Sequence, residues 1–559
     1  MTKKILILLA FVIAAITNSC TKLEEKILDE SSVAGLTDKQ QAEGITAPVY
    51  AKLEDVFMHT TYFDLQEIST DEAILPFRGG TDWGDNDIYK QMHKHETISS
   101  DANIRSTWTH ILTGVSRAVT AINALPGNPD PAAKIFLAEA RAMRAYYSLL
   151  TLDLWGLVFK KEDASETSEI LRGEEAIAYI KSELLAVEPL LDNTTGPGRL
   201  TKAGVQGLLA RLYLNAAVYR DVYATSFTFK NEDMDKVIEY CDKIISSNQY
   251  ALSTDYFSLF SDNNHTNREL IFAVDQRFDL NGHNRMAYFS LSGDQYPLPP
   301  WPTANGTDGP AITPEYYRTW VNTYAPVDPA DADPRFYKKN LIIPVDSCLP
   351  AANYVIDRGI LRGQQYGMLR NGVKCSNGNI KITKLFNCSR LNGAGCALPV
   401  NFTEQVDFTT AGSGYSNGYR VEKYEFSKTS ESGRNKGEHD IIILRLADVY
   451  LMRAEAKLRK SNDVAGALAD VNLVRASRTA TTPPTALTTM SLDLLFRERG
   501  FEFYWEMLRR TDMIRFGKYE GTWTEKTNTD VKKRLFPIPQ TAIDAASNLP
   551  GYLVQNPSY

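Results

Sequence analysis

The stretch LRLADVYLMRAEAKLRK, residues 444–460, has the clearest helical pattern in the last fifth of this chain. Leu444, Ala447, Leu451, Ala454 and Leu458 recur at intervals of three and four residues. That spacing places them on one face of an α-helix. The pattern predicts an amphipathic helix whose leucine and alanine face is buried.

Two more helices are predicted downstream. Asp463 is an N-cap candidate for a helix that runs to about Arg478. The next helix is predicted over residues 491–516 and takes in most of the motif ERGFEFYWEMLRRTDMIRFGK, residues 498–518. Gly517 is a natural stop, because glycine readily takes the left-handed conformation that ends helices.

The chain closes with LFPIPQTAIDAASNLPGYLVQNPSY, residues 535–559. Pro537 and Pro539 flank Ile538. Proline lacks a backbone donor and restricts the residue before it. An extended path is therefore predicted there instead of a helix.

The first half of the chain is also predicted to be helical. The segment AEARAMRAYYSLLTLDLWGLVF, residues 138–159, carries small residues and leucines at helical spacing. Further helices are predicted over residues 174–190, 201–219 and 233–247, with Thr201 as an N-cap. Gly207 would let a neighbouring helix approach closely. Successive helices of this kind suggest tetratricopeptide-like pairs, although no strict repeat can be aligned.

The middle of the chain, from about residue 251 to 440, has a different character. Proline, glycine, asparagine and aromatic residues increase, as in DQYPLPPWPTANGTDGP at residues 294–310. Long loops with short strands at most are predicted. The aromatic residues argue against disorder, and long ordered loops are commonly functional.

The N-terminus has the pattern of a targeting segment. Lys3 and Lys4 precede an uncharged apolar stretch over residues 5–16, which is too short to span a bilayer. Cys20 follows, and the arrangement resembles a bacterial lipobox. Cys20 is therefore the predicted lipidation site, and an ordinary secretory signal with a chance cysteine is the alternative. Acyl chains there would anchor the protein to a membrane without spanning it.

Length and composition set further bounds. The predicted parts are a signal peptide over residues 1–19, a lipidated linker over 20–40, an N-terminal helical part over 41–250 and a C-terminal part over 251–559. The two large parts are expected to form one compact unit. Removing residues 1–19 leaves 59 basic and 68 acidic residues, a net charge of −9. This acidic balance argues against a nucleic-acid partner.

The remaining cysteines fall into two groups. Cys241 lies in a helical pattern and is expected to be a buried thiol. Cys348, Cys375, Cys388 and Cys396 cluster in the loop-rich middle, where an oxidising compartment favours disulfides with three possible pairings. Free thiols and a zinc site are the alternatives, but the cluster lacks the Cys-x-x-Cys spacing typical of zinc.

Two charged patterns admit a chemical as well as a structural interpretation. Glu498 and Glu502 suggest paired carboxylates for acid–base chemistry. Their spacing on an arginine-rich helix favours ion pairs, namely Glu506 with Arg509 or Arg510, Arg499 with Glu502, and Asp512 with Arg515. His93 and His95 would share one face of a strand as metal ligands. No third ligand is in view.

The sequence contains no His-Glu-x-x-His motif and no P-loop, and no serine nucleophile elbow is predicted. The predictions therefore include no catalytic residue, no metal and no cofactor.

Aromatic residues in loops give the strongest binding signal. A sugar ring has apolar faces that an indole or phenol ring can cover, and hydroxyls that Asn, Asp and Arg can bond. The segment PFRGGTDWGDND, residues 76–87, supplies Arg78, Trp83, Asp85 and Asn86. The segment QYPLPPW, residues 295–301, supplies Tyr296 and Trp301 on a proline-stiffened backbone that loses little entropy on binding. These six residues are the predicted ligand-binding site, and packing of the loops onto the helices is the alternative.

Four motifs in order behind the lipobox resemble the SusD/RagB family of Bacteroidetes. They are the helix at 138–159 with its Trp-Gly end and the stretches at 444–460, 498–518 and 535–559. The resemblance implies a mostly α, SusD-like fold. Tetratricopeptide-like helices would form its scaffold, and the loop-rich middle would face the ligand.

The resemblance also implies a role and a partner. It implies an outer-membrane lipoprotein, facing the cell exterior, that captures a nutrient and delivers it to a SusC-like TonB-dependent transporter. An oligosaccharide is the expected cargo, and an oligopeptide is the alternative within the family. A surface glycoside hydrolase and a repeat scaffold that binds only protein are the competing hypotheses.

Overall fold

The structure is a computed structural model. It describes residues 35–78, 87–163, 165–276, 285–295, 306–341, 347–368, 375, 379–387, 398–427 and 437–559. Helices dominate these residues. The α-helices are α1 (Asp38–Val56), α2 (Ile88–Lys94), α3 (Ala102–Ala124), α4 (Ala133–Trp155), α5 (Gly173–Val187), α6 (Lys202–Arg220), α7 (Asn231–Ser246), α8 (Pro314–Tyr324), α9 (Pro329–Ala332), α10 (Leu446–Ser461), α11 (Val464–Ala476), α12 (Leu492–Phe503), α13 (Arg509–Arg515) and α14 (Gln540–Ala545).

The strands are short and pair in twos and threes. They are β1 (Ala73–Ile74), β2 (Val158–Lys160), β3 (Glu169–Leu171), β4 (Leu270–Val274), β5 (Ala311–Ile312), β6 (Tyr337–Lys338), β7 (Cys348–Leu349), β8 (Arg358–Leu361), β9 (Gly363–Gln364), β10 (Tyr366–Gly367), β11 (Ile380–Lys381), β12 (Thr383–Lys384), β13 (Phe386–Asn387), β14 (Leu398–Pro399), β15 (Asn401–Phe402), β16 (Arg420–Glu422) and β17 (Ile441–Arg445). Most of them lie in the middle of the chain, which confirms the predicted short strands there. The prediction that this region holds strands at most is wrong, because two α-helices, α8 and α9, also lie in it.

The larger helices form a continuous row. Helix α1 packs on α3, α3 on α4, and each of α4, α5 and α6 on the helix that follows it. The row continues from α7 to α10 and from α10 to α11. This confirms the mostly α fold with a tetratricopeptide-like scaffold. One hydrophobic cluster runs from Ala42 to Ile538 and takes residues from both large predicted parts. The domain boundaries themselves stay predictions.

Several predicted helix ends are confirmed by their capping bonds. The Thr201 hydroxyl accepts a hydrogen bond from the Gly204 amide at 3.1 Å at the start of α6. Asp463 accepts one from the Gly466 amide at 2.9 Å at the start of α11. Gly517 follows the last turn of α13 with a φ of +67°, which is the left-handed conformation that glycine favours.

The prediction of a helix from Leu444 onward is wrong at its start. Leu444 lies in β17, which pairs antiparallel with β4, and the helix begins two residues later. The neighbour of Gly207 is this strand and not a helix. A Cβ atom on Gly207 would lie 2.1 Å from Leu444 Cδ2, so only glycine fits at that contact.

The single helix predicted over residues 491–516 is also wrong, because the chain breaks between α12 and α13. Trp505 and Met507 have φ values of +63° and +61°, which an α-helix does not allow. The Trp505 amide donates to Glu72 Oε1 at 2.7 Å instead of to a helical carbonyl. A buried carboxylate that is distant in the sequence thus supports the break.

Two α-helices in the described part of the loop-rich middle were not predicted, and α8 is the longer of them. Helix α8 begins at Pro314, and the Thr313 hydroxyl caps the Tyr316 amide at 3.1 Å. Trp320 on this helix is fully buried and stacks on Phe501, with 3.7 Å between ring centroids. The proline-rich start and the aromatic residues hid the helical pattern from periodicity alone.

Beneath these helices lies a buried cluster of ten charged side chains, called here the ion cluster. Each is at most 5% exposed, and the partly exposed Arg497 lies at its edge. The acidic members are Glu269, Asp333, Glu498, Glu502 and Glu506, and the basic members are Arg335, Lys423, Arg445, Arg475 and Arg478. Five negative and five positive charges make the cluster neutral.

Glu502 bonds three arginines of the ion cluster, and all three are distant from it in the sequence. Its Oε1 accepts from Arg478 at 2.6 Å and from Arg445 at 2.7 Å, and its Oε2 accepts from Arg335 at 3.1 Å. Burial by itself would raise the pKa of Glu502, but the three guanidinium charges hold it well below its usual value. Glu502 is therefore ionised at the centre of a structural network.

The predicted local ion pairs are confirmed in one case out of three. Asp512 bonds Arg515 at 2.7 Å as predicted. The prediction for Arg499 is wrong, since it bonds Asp448 at 2.9 Å and Asp512 at 2.7 Å. The prediction for Glu506 is also wrong, because its partners are Lys423 and Arg445. These carboxylates and arginines turn inward and meet partners from other elements.

The cysteine predictions are resolved in part. Cys348 and Cys375 form a disulfide, which selects that link among the pairings left open. Cys241 is a fully buried free thiol on α7, as predicted. Cys388, Cys396 and Cys20 lie outside the described residues.

Candidate ligand-binding face

The described residues that flank the two predicted ligand segments lie at one strand pair. Strand β1 pairs antiparallel with β5, with Ala73 opposite Ile312 and Ile74 opposite Ala311. Residues 79–86 follow β1, and residues 296–305 precede β5. In an antiparallel pair the end of one strand lies beside the start of the other. The described residues that flank both segments are therefore close together.

Arg78 links three segments at this point. Its side chain is 2% exposed. Nε donates to Gly309 O at 3.0 Å, and Nη1 donates to Gly414 O at 2.9 Å and to Asn417 O at 2.8 Å. Arg78 was predicted to bond a ligand hydroxyl. The observed contacts instead give it a structural role, and ligand bonding by Arg78 stays a prediction.

The chain on the far side of residues 296–305 is firmly held. Backbone bonds there join Thr307 N to Tyr288 O (2.9 Å), Asp308 N to Leu291 O (2.7 Å) and Gly309 N to Phe289 O (2.8 Å). A Cβ atom on Gly309 would lie 2.2 Å from Phe289 O, so glycine is required for this close approach. On the near side, the Tyr354 hydroxyl donates to Gln295 O at 3.1 Å.

Asp308 is a buried carboxylate between two arginines. It is 1% exposed and has a φ of +53°. Burial raises the pKa of Asp308 to about 6, although the charges of Arg420 and Arg78 act to lower it. Arg420 in turn donates to Ser290 O at 2.8 Å. Hydrogen bonds from buried, charged side chains therefore hold the base of the face.

Two aromatic rings reach solvent next to these loops. Phe77 is 46% exposed and lies between β1 and residues 79–86. Tyr366 is 37% exposed on β10, and the preceding Gln365 contacts Gln295 through their side-chain amides at 3.4 Å. Sequence reasoning missed both residues. The position of Phe77 inside the aromatic and polar segment 76–87 was the available signal.

The other predicted ligand residues lie outside the described part of the chain. They are Trp83, Asp85, Asn86, Tyr296 and Trp301. Their role in binding stays a prediction, which rests on the residue types and on the shared position of the flanking residues.

The pair His93 and His95 does not have the predicted strand geometry. His93 lies in α2, and His95 ends that helix with a φ of +58°. His93 Nε2 is 2.8 Å from Thr524 O, and His95 Nε2 is 2.7 Å from Ser69 O. Burial lowers the pKa of both rings. Among the described residues, no cluster of three or more His, Cys, Asp or Glu side chains could hold a metal ion.

Neither pattern with a catalytic look has the surroundings that catalysis needs. Glu498 and Glu502 are 1% and 0% exposed and bond arginines, so the ion-pair interpretation is confirmed. Residues 414–418, GYSNG, match the letters of a serine nucleophile motif. Their backbone forms turns that lead to β16 instead of a strand-to-helix elbow, and the Ser416 hydroxyl donates to Pro399 O at 3.1 Å.

Comparison with known proteins shows which family this chain is similar to. The model of the SusD family matches residues 405–559. The chain is 26% identical over 521 residues to the starch-binding protein SusD of Bacteroides thetaiotaomicron, which covers 89% of this chain and 85% of that protein. The SusD family model thus covers the C-terminal part of this chain, and the similarity to SusD extends over most of its length.

Solved structures share the fold of this chain. A SusD superfamily protein from Parabacteroides distasonis superposes with a TM-score of 0.68 at 20% identity, over 94% of this chain and all of that one. Surface glycan-binding protein A from Bacteroides thetaiotaomicron, in complex with laminarihexaose, superposes with a TM-score of 0.64 at 20% identity, over 92% and 99% of the two chains. At this identity the likeness establishes the fold.

The segment matched by the SusD family model reaches the candidate face. It includes Gly414 and Asn417, whose carbonyls accept hydrogen bonds from Arg78. It also includes helices α10 to α14, which supply Glu498 and Glu502 of the ion cluster. The matched segment thus contributes to both the scaffold and the face.

Proposed function

We propose that this chain is a non-catalytic surface lipoprotein that captures an oligosaccharide and delivers it to a SusC-like TonB-dependent transporter. The observation that carries the proposal is the β1–β5 pair, which brings together the described flanks of the two aromatic and polar segments, with Arg78 bonded to Gly309 between them. The name of the SusD relative, a starch-binding protein, and the laminarihexaose complex of a structural neighbour support a glycan as the cargo.

Each proposed contact follows from the chemistry of a sugar. Trp83 and Trp301 would stack on apolar ring faces, with Tyr296 assisting. Asp85 and Asn86 would accept and donate hydrogen bonds to hydroxyls. Phe77 adds an exposed ring beside them. Arg78 would hold the described flanks of the two segments together.

The anchor and the partner follow from the N-terminus and the family. Cys20 would carry the lipid that holds the protein to the outer membrane, facing the cell exterior. Among the described residues, no helix is long and apolar enough to cross a membrane. Replacement of Cys20 by serine should move the protein from the membrane fraction to the soluble fraction. Persistence in the membrane fraction would disprove lipidation at this residue.

The binding assignment is tested by the double variant Trp83→Ala, Trp301→Ala. Loss of two stacking residues should weaken binding of the cognate glycan by roughly 2 kcal/mol or more. Isothermal titration with glycans found on an array would measure the change. The matched control is Leu190→Ala, which removes an apolar side chain that is 57% exposed on the helical scaffold and should leave affinity unchanged.

Two outcomes would redirect the proposal. An unchanged affinity in the folded double variant would remove the two tryptophans from the site. Binding of peptides from the native cell surface, with no glycan retained on the array, would favour the oligopeptide alternative. Co-purification of a TonB-dependent transporter in mild detergent tests the delivery step, and purification of this protein without such a partner would count against it.

A further inference from the structure

A cleft lies apart from the candidate ligand-binding face. Its volume is about 380 Å³, within the range of small-molecule sites. It is enclosed by the C-terminal ends of α4 and α6, the start of α5, helix α13 and tail residues 554–557. None of the described residues within 73–87 and 285–312 lines it. The cleft is therefore a separate feature that the capture of a glycan by the loops does not use.

The floor of this cleft is apolar. Four buried side chains form it, each between 2% and 5% exposed: Leu152, Val218, Ile514 and Leu535. A ligand that covers this floor would remove apolar surface from water, which is the main source of affinity in small sites. The ligand should therefore have an apolar body.

Most polar groups of the lining already have partners. Asp153 accepts from Arg510 at 2.8 Å and from Gln66 at 3.0 Å. Asn556 donates to two backbone carbonyls. Arg220 pairs with two carboxylates, those of Glu174 and Asp233. These groups shape the cleft, and a ligand has no need to satisfy them.

Arg172 and Tyr223 are different. Within the described part of the chain, Arg172 forms no ion pair, and its one hydrogen bond in the cleft is Nη1 to Gly156 O at 3.3 Å. The buried Tyr223 hydroxyl has no hydrogen-bond partner there. Burial raises the pKa of Tyr223 to about 12, and the nearby charge of Arg172 acts in the opposite direction. The phenol is thus protonated and can donate next to a free guanidinium.

We propose that this cleft binds a small organic carboxylate with an apolar body. The guanidinium of Arg172 would bond both carboxylate oxygens, since its planar donors match that geometry. The Tyr223 hydroxyl would donate a further bond, and the apolar body would lie on the floor. A single free arginine and the exposed Asp221 carboxylate at the rim favour a monoanion over a phosphate.

The test uses the full mature protein with phenylacetate as the probe and phenylacetamide as its neutral match. Titration followed by ligand-observed NMR should show saturable binding of phenylacetate. The amide and the Arg172→Gln variant should each bind roughly tenfold weaker or worse, because a charged hydrogen bond is lost. Tyr223→Phe should weaken binding by a smaller factor. Arg172 is exposed, so the variant should fold normally.

The control variant is Arg105→Gln, which removes an exposed arginine on α3 that does not line the cleft and should leave binding unchanged. Equal binding of acid and amide would overturn the proposal. Unchanged affinity in Arg172→Gln would overturn it too, as would absence of saturable phenylacetate binding at millimolar concentration. A glycan titration on the same variants should show wild-type affinity, which separates this cleft from the loops.

Discussion

Replacement of Glu502 by glutamine removes one charge from the centre of the ion cluster while keeping the shape of the side chain. The cluster is neutral in the native protein, and the variant leaves it with a net charge of +1. Arg478 then retains only Glu269 as an acidic partner. Arg335 and Arg445 each keep at least one other carboxylate. The amide nitrogen of the new glutamine also faces an arginine donor.

The expected loss in the free energy of unfolding follows from the burial of Glu502 and its arginine partners. Glu502 and the three arginines that it bonds are each at most 1% exposed, so water cannot replace the lost carboxylate. Removing one partner from a buried ion pair typically destabilises a protein by about 3–5 kcal/mol. The remaining carboxylates limit the loss, and we expect a value near the lower end of that range.

Urea unfolding followed by tryptophan fluorescence measures this change as a shift in midpoint. The matched control is Glu239→Gln on the surface of α7. Glu239 also bonds two cations, Lys236 at 2.6 Å and Lys243 at 2.7 Å, but its side chain is 39% exposed. Exposed pairs contribute little, so the control should lose less than about 1 kcal/mol.

A Glu502→Gln midpoint equal to that of the control would refute the reasoning that the ion cluster stabilises the fold.

The Glu502→Gln variant also tests the acid–base interpretation. Because Glu502 is fully buried, the folded variant should bind glycan as the wild type does. If the wild type hydrolysed a polysaccharide and the folded variant did not, the hydrolase hypothesis would be supported again.

Two further predictions concern pH and the loop junction. Burial raises the pKa of the Glu72 carboxyl to about 7 in the folded protein. Protonation of Glu72 therefore stabilises the fold fully at a pH below the ordinary carboxyl pKa, and this stabilisation is lost as the pH rises through 7. The free energy of unfolding should therefore fall between pH 5 and 8 by an amount on the order of 3 kcal/mol from this group, and Glu72→Gln should flatten that fall in urea titrations. An identical pH profile in the variant would contradict this. Arg78→Lys should speed hydrogen exchange at the Gly309 amide about tenfold or more, because one ammonium cannot reach the carbonyls of Gly309, Gly414 and Asn417 together. Unchanged exchange there would show that Arg78 does not hold the junction.

Local signals predicted the local structure well. Thr201, Asp463 and Gly517 mark helix ends in the sequence because the capping bonds and the left-handed glycine involve residues only three or four positions apart. The loop-rich middle was equally readable from its composition. Periodicity failed where a helix pattern continued through a break, as between α12 and α13.

The sequence by itself determined the helical scaffold, the loop-rich middle and the resemblance to the SusD/RagB family, because each depends on neighbouring residues or on motifs in order. Tertiary structure alone decided how the charges of the ion cluster pair and that the described flanks of the two ligand segments meet. Glu502 bonds Arg335, Arg445 and Arg478, and Arg78 bonds Gly309 and Asn417, over separations that no local pattern encodes. Buried charges must find partners wherever the folded chain brings them, and that requirement acts only once the helices have packed.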